Sequence, residues 1–97
     1  MQQGPSSSQS IEREVTVQNR EGLHFRPIMK LVDAVGAFSS RIVVHCEDRS
    51  ADARSPMELL MLVATQGCKL TIRAEGADAA QAADAVAALF DAGFNET

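Results

Sequence analysis

Residues 13–36, "REVTVQNREGLHFRPIMKLVDAVG", hold a strand, a turn and a helix in succession. In "REVTVQ" apolar and polar residues alternate, so that Val15 and Val17 face one way, as in a strand with one buried face. After the turn "NREG", apolar residues recur at helical spacing: Ile28, Leu31, Val32 and Val35. The pattern predicts an amphipathic helix that begins near Phe25 and ends at Gly36.

The same two periodicities continue along the chain. Strands are predicted in "RIVVHC" (41–46), "SADAR" (50–54) and "CKLTIRA" (68–74), and an alanine-rich helix over residues 77–94. A further helix is predicted from residue 55 to Gly67, because Ser55 and Glu58 fit a capping box and Pro56 occupies the first helical position.

The predicted order of elements is therefore β-α-β-β-α-β-α. Four short strands with three helices on one face give an α+β fold, an open-faced β-sandwich with a four-stranded antiparallel sheet. Residues 11–97 would form this domain. Residues 1–10 are rich in Ser and Gln and nearly free of apolar side chains, so a disordered N-terminal extension is predicted there.

Composition disfavours several classes of function. The chain has 97 residues, which suits one domain, and its formal net charge of −4 without a basic face argues against nucleic-acid binding. No apolar run approaches the roughly 20 residues of a membrane-spanning helix, and the N-terminus lacks the pattern of a secretory signal. We expect a cytoplasmic monomer that binds no membrane.

The two cysteines, Cys46 and Cys68, are not spaced as metal ligands with either histidine. They are predicted to be small buried hydrophobic residues rather than a disulfide or a metal site. No metal and no cofactor are expected.

His24 stands directly before the first predicted helix. The first N–H groups of a helix lack partners within it and, together with the helix dipole, attract phosphate. The same field disfavours a protonated imidazole and leaves one ring nitrogen free as a nucleophile. Arg26 can bind phosphoryl oxygens, while Gly22 and Pro27 set the turn and the first helical residues. The segment suits a histidine that receives and releases a phosphoryl group. The alternative is a histidine that only caps the helix at the surface.

The segment "GLHFRPIMKLV" (22–32) resembles "GLHARPA", the active-site motif of the HPr family of histidine phosphocarriers in the phosphoenolpyruvate-dependent phosphotransferase system. "ARSPMELLMLVATQG" and "AEGADAAQAADAVAALF" are similar to the second- and third-helix regions of that family, and the resemblance covers about residues 12–95. "RPIMKLV", "LLML" and "ALFDAGF" are most similar to the nitrogen-related branch, NPr.

The resemblance implies that His24 takes a phosphoryl group from enzyme I, as a pros-phosphohistidine, and passes it to an enzyme IIA-type acceptor. Arg26 would stabilise the phosphoryl group. The protein would then be a relay without substrate turnover of its own.

Ser55 matches the serine that HPr kinase/phosphorylase modifies in some family members, although the residues alone predict only a helix cap. Pro56 departs from the usual aliphatic residue at the next position. Glu58 replaces a residue that is basic in some carriers, which predicts poor recognition by the enzyme I of sugar uptake.

A partner-binding surface is predicted from side chains near the starts of the first two helices: Phe25, Pro27, Met29, Met57 and Leu60. Met61 is expected in the core instead. Two classes of function remain open, a phosphoryl relay for sugar transport or nitrogen regulation and a regulatory binding module. In the second, phosphorylation at His24 or Ser55 would only switch partner contacts.

Overall fold

The computed structural model describes residues 9–96, and its elements follow the predicted order. The strands are β1 (Gln9–Thr16), β2 (Arg41–Cys46), β3 (Arg49–Asp52) and β4 (Lys69–Gly76). The helices are α1 (Phe25–Val35), α2 (Pro56–Met61) and α3 (Ala79–Asp91), and a 3₁₀ turn, Gly93–Asn95, follows α3.

The four strands form one antiparallel sheet in the order β1-β4-β2-β3. Its register places Val15 opposite Leu70, and Val44 opposite Ile72, so that the apolar residues of neighbouring strands share one face. Because side chains alternate along a strand, the remaining residues form the outer, more polar face. The predicted open-faced α+β sandwich is confirmed.

The core lies between the inner face of the sheet and the three helices. Its largest fully buried side chains come from all layers: Phe90, Phe94, Ile28, Leu31, Ile42, Leu59, Leu62, Leu70 and Ile72. α1 contributes the face that its periodicity predicted, with Ile28, Leu31 and Val35 buried. Within residues 9–96, no helix combines the length and the apolar character that crossing a membrane requires.

β1 begins two residues before the predicted domain boundary. Gln9 and Ser10 pair with Gly76 and Glu75 of β4 and so extend the strand. The disordered extension predicted for residues 1–10 otherwise falls on residues 1–8, which lie outside the described part of the chain.

α2 is shorter than predicted, since it ends at Met61 rather than at Gly67. The amide of Leu62 donates to the carbonyl of Leu59, three residues back, at 3.2 Å. Val63 then has a φ of +51°, a left-handed conformation that stops the helix. Gly67, with a φ of +89°, belongs to a separate turn that leads into β4.

Two polar side chains fasten the loop between α1 and β2. The Arg54 guanidinium donates to the carbonyls of Val35, at 3.1 Å, and Ser40, at 2.9 Å. The Asp78 carboxylate accepts from the amides of Ser39 and Ser40, each at 2.9 Å. These contacts satisfy carbonyls at the C-terminal end of α1 and hold that end against the sheet, which orients its other end.

Candidate functional site

His24 occupies the N-cap position of α1, with extended backbone angles. The chain reaches it through a tight turn in which Gly22 has a φ of +74° and the amide of Leu23 donates to the carbonyl of Ala64 at 2.9 Å. A Cβ atom on Gly22 would lie 2.6 Å from the Ala64 oxygen, so this approach requires glycine. The imidazole makes no capping hydrogen bond, and a side-chain helix cap is therefore not its role.

The N-terminal end of α1 presents free donors. The first helical hydrogen bond runs from the amide of Ile28 to the carbonyl of His24, at 3.0 Å. The amides of Phe25 and Arg26 have no acceptor within residues 9–96, and Pro27 has no N–H to satisfy. Two unpaired amides and the positive end of the helix dipole thus lie next to the imidazole.

The imidazole of His24 contacts the C-terminal segment of the chain through Nε2. Nε2 of His24 lies 3.2 Å from Oε1 of Glu96, and the His24 side chain remains 37% exposed. Asn19 reinforces the contact, because its Nδ2 donates to the same Glu96 oxygen at 3.0 Å and to the carbonyl of Gly22 at 2.6 Å. Since both partners of Nδ2 are acceptors, they set the orientation of the Asn19 amide.

Glu96 is ionised near neutral pH. Burial raises the pKa of its carboxyl group, but the hydrogen bonds from His24 and Asn19, with nearby positive charge, outweigh burial and leave the pKa below its ordinary value. An ionised carboxylate can only accept hydrogen bonds, so Nε2 of His24 must carry the proton of this contact. In the neutral imidazole the lone pair is then on Nδ1.

A shallow cleft of about 550 Å³ opens over these groups. It is lined by Glu21, His24, Phe25, Arg26, Asn95 and Glu96. Arg26 and Phe25 are both exposed, so a guanidinium and an aromatic ring stand at the mouth of the cleft beside the imidazole. The ring nitrogen of His24 can carry a tetrahedral anionic group, and the free amides and the arginine can donate hydrogen bonds to its oxygens.

The C-terminal segment is anchored well enough to serve as part of the site. Phe94 is fully buried, and its ring meets that of Phe90 edge to face, with centroids 4.8 Å apart. Lys30 of α1 donates to the carbonyl of Phe94. Neither Glu96 nor Asn19 was predicted from the sequence, since no local pattern links Glu96 to His24, 72 positions away, or to Asn19, 77 positions away. The position of Asn19 before a glycine turn is the one signal that sequence offers.

The predicted partner-binding residues divide between surface and interior. Phe25, Met57 and Leu60 are exposed, and Met29 is half-buried. Pro27 is buried, so its assignment to the partner surface was wrong.

The core assignment of Met61 was also wrong, because its side chain is 68% exposed. The short α2 directs Leu59 and Leu62 into the core and leaves the intervening residues in solvent. The exposed apolar residues of this region, which we call the α2 patch, are Met57, Leu60, Met61 and Val63.

Ser55 caps α2, as predicted, by accepting a hydrogen bond from the amide of Glu58 at 3.2 Å. The predicted capping box is only half formed. The Glu58 carboxylate accepts from the amide of Asp52, at 2.9 Å, rather than from that of Ser55. Ser55 does not line the cleft around His24.

Comparison with known proteins agrees with this geometry. The family described as "PTS HPr component phosphorylation site" matches residues 11–92. The phosphocarrier protein NPr of Proteus mirabilis is 44% identical over 85 residues, which cover 87% of this chain and 94% of that protein. The phosphocarrier protein HPr of Xylella fastidiosa is 37% identical over 89% of this chain and 97% of its own length.

The fold is shared with solved structures as well. The crystal structure of HPr-C-His from Thermoanaerobacter tengcongensis superimposes with a TM-score of 0.85 at 32% identity, covering 90% of this chain and 98% of that one. The match to the family spans both the His24 turn and the three helices that support it. The chain accordingly belongs to the HPr family of phosphotransferase-system phosphocarriers, in its NPr branch.

Proposed function

We propose that this protein accepts a phosphoryl group on Nδ1 of His24 from phosphorylated enzyme I and passes it to an enzyme IIA-type acceptor. The observation that carries the proposal is the contact between Nε2 of His24 and the Glu96 carboxylate, at 3.2 Å. This contact keeps the proton on Nε2 and leaves the lone pair of Nδ1 free to act as the nucleophile.

The acceptance step follows from this tautomer. The Nδ1 lone pair attacks phosphorus of the donor phosphohistidine, the P–N bond of the donor breaks, and the donor nitrogen keeps the electron pair. Nε2 of His24 retains its proton throughout, so the ring becomes a phosphoimidazolium whose positive charge faces Glu96. The carboxylate, held in place by Asn19, stabilises that charge.

The transferred group would be held by the start of α1. The free amides of Phe25 and Arg26 and the Arg26 guanidinium can donate to its oxygens, and the helix dipole adds positive potential. These contacts would stabilise charge that spreads over the oxygens during transfer. Since the same contacts exist for both directions of transfer, they suit a carrier that must release the group again.

The α2 patch supports a docking role for the helical side of the molecule. Exposed apolar side chains in such a group are uncommon on a protein surface and indicate an interaction site. Methionine side chains adapt to different shapes, which suits a protein that meets a donor and an acceptor in turn. Docking there is testable with Met57→Glu: we expect a higher KM for phosphorylated enzyme I and an unchanged unfolding midpoint. Gln81→Glu, at an exposed position of α3, is the matched control.

Phosphorylation of Ser55 by a kinase stays a separate prediction. Its hydroxyl already serves as the acceptor of a helix cap, and the carboxylate of Glu58 lies in the same turn. The N-terminal end of the helix would stabilise a phosphate on Ser55, but the nearby Glu58 carboxylate would repel it. The structure therefore favours the capping role for Ser55, and the relay does not depend on its modification.

The central experiment is phosphorylation by phosphoenolpyruvate and the enzyme I of the nitrogen branch, followed by intact-mass measurement. We expect one acid-labile phosphoryl group, absent from His24→Ala and retained by His45→Ala, which removes the only other histidine. Circular dichroism would verify that both variants fold. Nitrogen chemical shifts of the phosphorylated ring would identify the modified atom.

Two results would contradict the proposal. Absence of transfer from both the nitrogen-branch and the sugar-branch enzyme I would leave His24 without the role of a carrier. Phosphorylation on Nε2 would preserve the carrier but contradict the part that we assign to Glu96.

A further inference from the structure

The two cysteines lie on the same side of the sheet, although they are 22 positions apart in sequence. The pairing of β2 with β4 ends at His45 and Thr71, and extending its register by one residue places Cys46 opposite Leu70. Cys68 precedes Leu70 by two residues and therefore points to the same side, where it packs against the core that contains Cys46. Cys46, the last residue of β2, and Cys68, the residue before β4, are thus placed as diagonal neighbours.

The two thiols differ in access. Cys46 is 2% exposed, whereas Cys68 is half-buried in the turn just before β4, and both are free. A solvent-borne reagent can therefore reach Cys68 first, and Cys46 stands behind it. This is the arrangement of a reactive cysteine with a second thiol placed to resolve its oxidised form.

Hydrogen bonds favour the thiolate of Cys68. The Thr65 hydroxyl lies 3.5 Å from its sulfur. The side chain and the backbone of Thr65, with a smaller contribution from the Cys46 thiol, lower the pKa of Cys68 against opposing effects of burial and of Glu47. Because the thiolate is the reactive form, these contacts increase the reactivity of the exposed member of the pair.

The turn that carries Cys68 is held in place by backbone hydrogen bonds. The amide of Cys68 donates to the carbonyl of Thr65 at 3.0 Å, and the carbonyl of Cys68 accepts from the amide of Val17 at 2.9 Å. The amide of Gly67 donates to the carbonyl of Val17, also at 2.9 Å. These hydrogen bonds order the backbone around Cys68 and so limit the positions that its sulfur can take.

We propose that Cys68 and Cys46 form a peroxide-sensitive modification site that closes an intramolecular disulfide. The Cys68 thiolate attacks one oxygen of a hydroperoxide, the O–O bond breaks, and the leaving alkoxide or hydroxide takes up a proton. The product is a sulfenic acid at Cys68. The Cys46 sulfur then attacks the Cys68 sulfur, and the hydroxide that leaves takes the Cys46 proton as water.

Arg49 supports the second step. Its Nη2 donates to the Cys46 sulfur at 3.6 Å and so places a positive charge beside the atom that must act as a thiolate. Closure also needs a small movement. Diagonal strand neighbours have Cα atoms about 7–8 Å apart, whereas a disulfide joins Cα atoms at roughly 4.4–6.8 Å. The Thr65–Cys68 turn therefore has to shift toward β2 by about 1 Å.

The test uses the reduced full-length protein, hydrogen peroxide and mass spectrometry without reductant. We expect a monomer lighter by two hydrogen atoms, with a tryptic species that joins residues 42–49 to residues 55–69. In Cys46→Ala, dimedone should trap one sulfenic acid at Cys68. In Cys68→Ser, the buried Cys46 thiol should survive the same treatment.

Several outcomes would overturn the assignment. They are a disulfide between two chains, oxidation of Cys68 to sulfinic acid beside an intact Cys46 thiol, or bridging in urea at the rate seen for the folded protein. His24→Ala should bridge as the wild type does, so the result is independent of the proposed carrier function.

Discussion

The carboxylate of Glu96 lies 3.2 Å from Nε2 of His24, although 72 positions separate the two residues in the chain. Asn19 binds the same carboxylate oxygen, and the Glu96 side chain is only 13% exposed. The last described residue of the fold therefore determines which nitrogen of the imidazole is protonated. In the proposed function, it thereby selects the nitrogen that accepts the phosphoryl group.

Replacing this carboxylate with an amide should change the acid stability of the fold. A carboxyl group whose pKa is lower in the folded state stabilises the fold above its ordinary pKa, 4.5, and that contribution disappears as pH falls through the folded value. We therefore expect the unfolding free energy of Glu96→Gln to decline less steeply below pH 4.5 than that of the wild type. Urea unfolding over a pH series measures this difference.

The tautomer is tested by a second substitution at the same position. Glu96→Leu removes the carboxylate acceptor of Nε2, whereas Glu96→Gln keeps an amide oxygen there. Nitrogen chemical shifts of His24 should show Nε2–H in the wild type and Glu96→Gln, and a mixture of tautomers in Glu96→Leu. A mixture in all three proteins would contradict the role of this contact.

Arg26→Ala should slow phosphoryl transfer without affecting folding, because the side chain is exposed at the mouth of the cleft. Hydrogen bonds to a charged group contribute about 1.5–3 kcal/mol, and each 1.4 kcal/mol is tenfold. Transfer should therefore be about 10- to 100-fold slower, measured by rapid-quench kinetics with phosphorylated enzyme I. Arg20→Ala, exposed in the preceding turn, is the control. Equal losses in the two variants would indicate a general effect of charge.

Gly22→Ala should destabilise the fold more than Gly67→Ala. Both glycines have positive φ, and this backbone strain alone costs about 1–2 kcal/mol for alanine. At Gly22 the new Cβ would also lie 2.6 Å from the carbonyl oxygen of Ala64, whereas nothing lies within 4 Å of a Cβ at Gly67. Denaturant unfolding of both variants measures the difference, and equal losses would refute the close approach of the His24 turn to residue 64.

Ser55→Ala should reduce the unfolding free energy by about 1 kcal/mol, the usual effect of losing an N-cap. Ser55→Asp should retain most of the stability, because a carboxylate can also accept from the amide of Glu58. Ser50→Ala, at an exposed position of β3, is the control and should change stability little. If Ser55→Ala were as stable as the control, the hydroxyl would have no capping role.

Local patterns in the sequence predicted the elements and their arrangement. The alternation in β1, β2 and β4 and the helical spacing in α1 and α3 each identify the buried face of one element, and these faces combine into one core. The position of His24 before a helix and after a glycine also follows from neighbouring residues. Errors occurred where local signals competed: α2 ends early because Val63 adopts a left-handed conformation, which a β-branched residue rarely does.

Burial near element ends required the tertiary structure. Pro27 was predicted to be exposed and Met61 to be buried, and both predictions were wrong. Pro27 lies in the first turn of α1 and Met61 in a helix of six residues, and such short segments show too little periodicity to define a buried face. The sequence by itself determined the fold class, the family motif and the position of His24 before the first helix. Only the tertiary structure decided that Glu96 and Asn19 hold Nε2 of that histidine, and that Cys46 stands behind Cys68. Those contacts join residues far apart in the chain, and packing of the whole sheet and its helices is what brings them within reach.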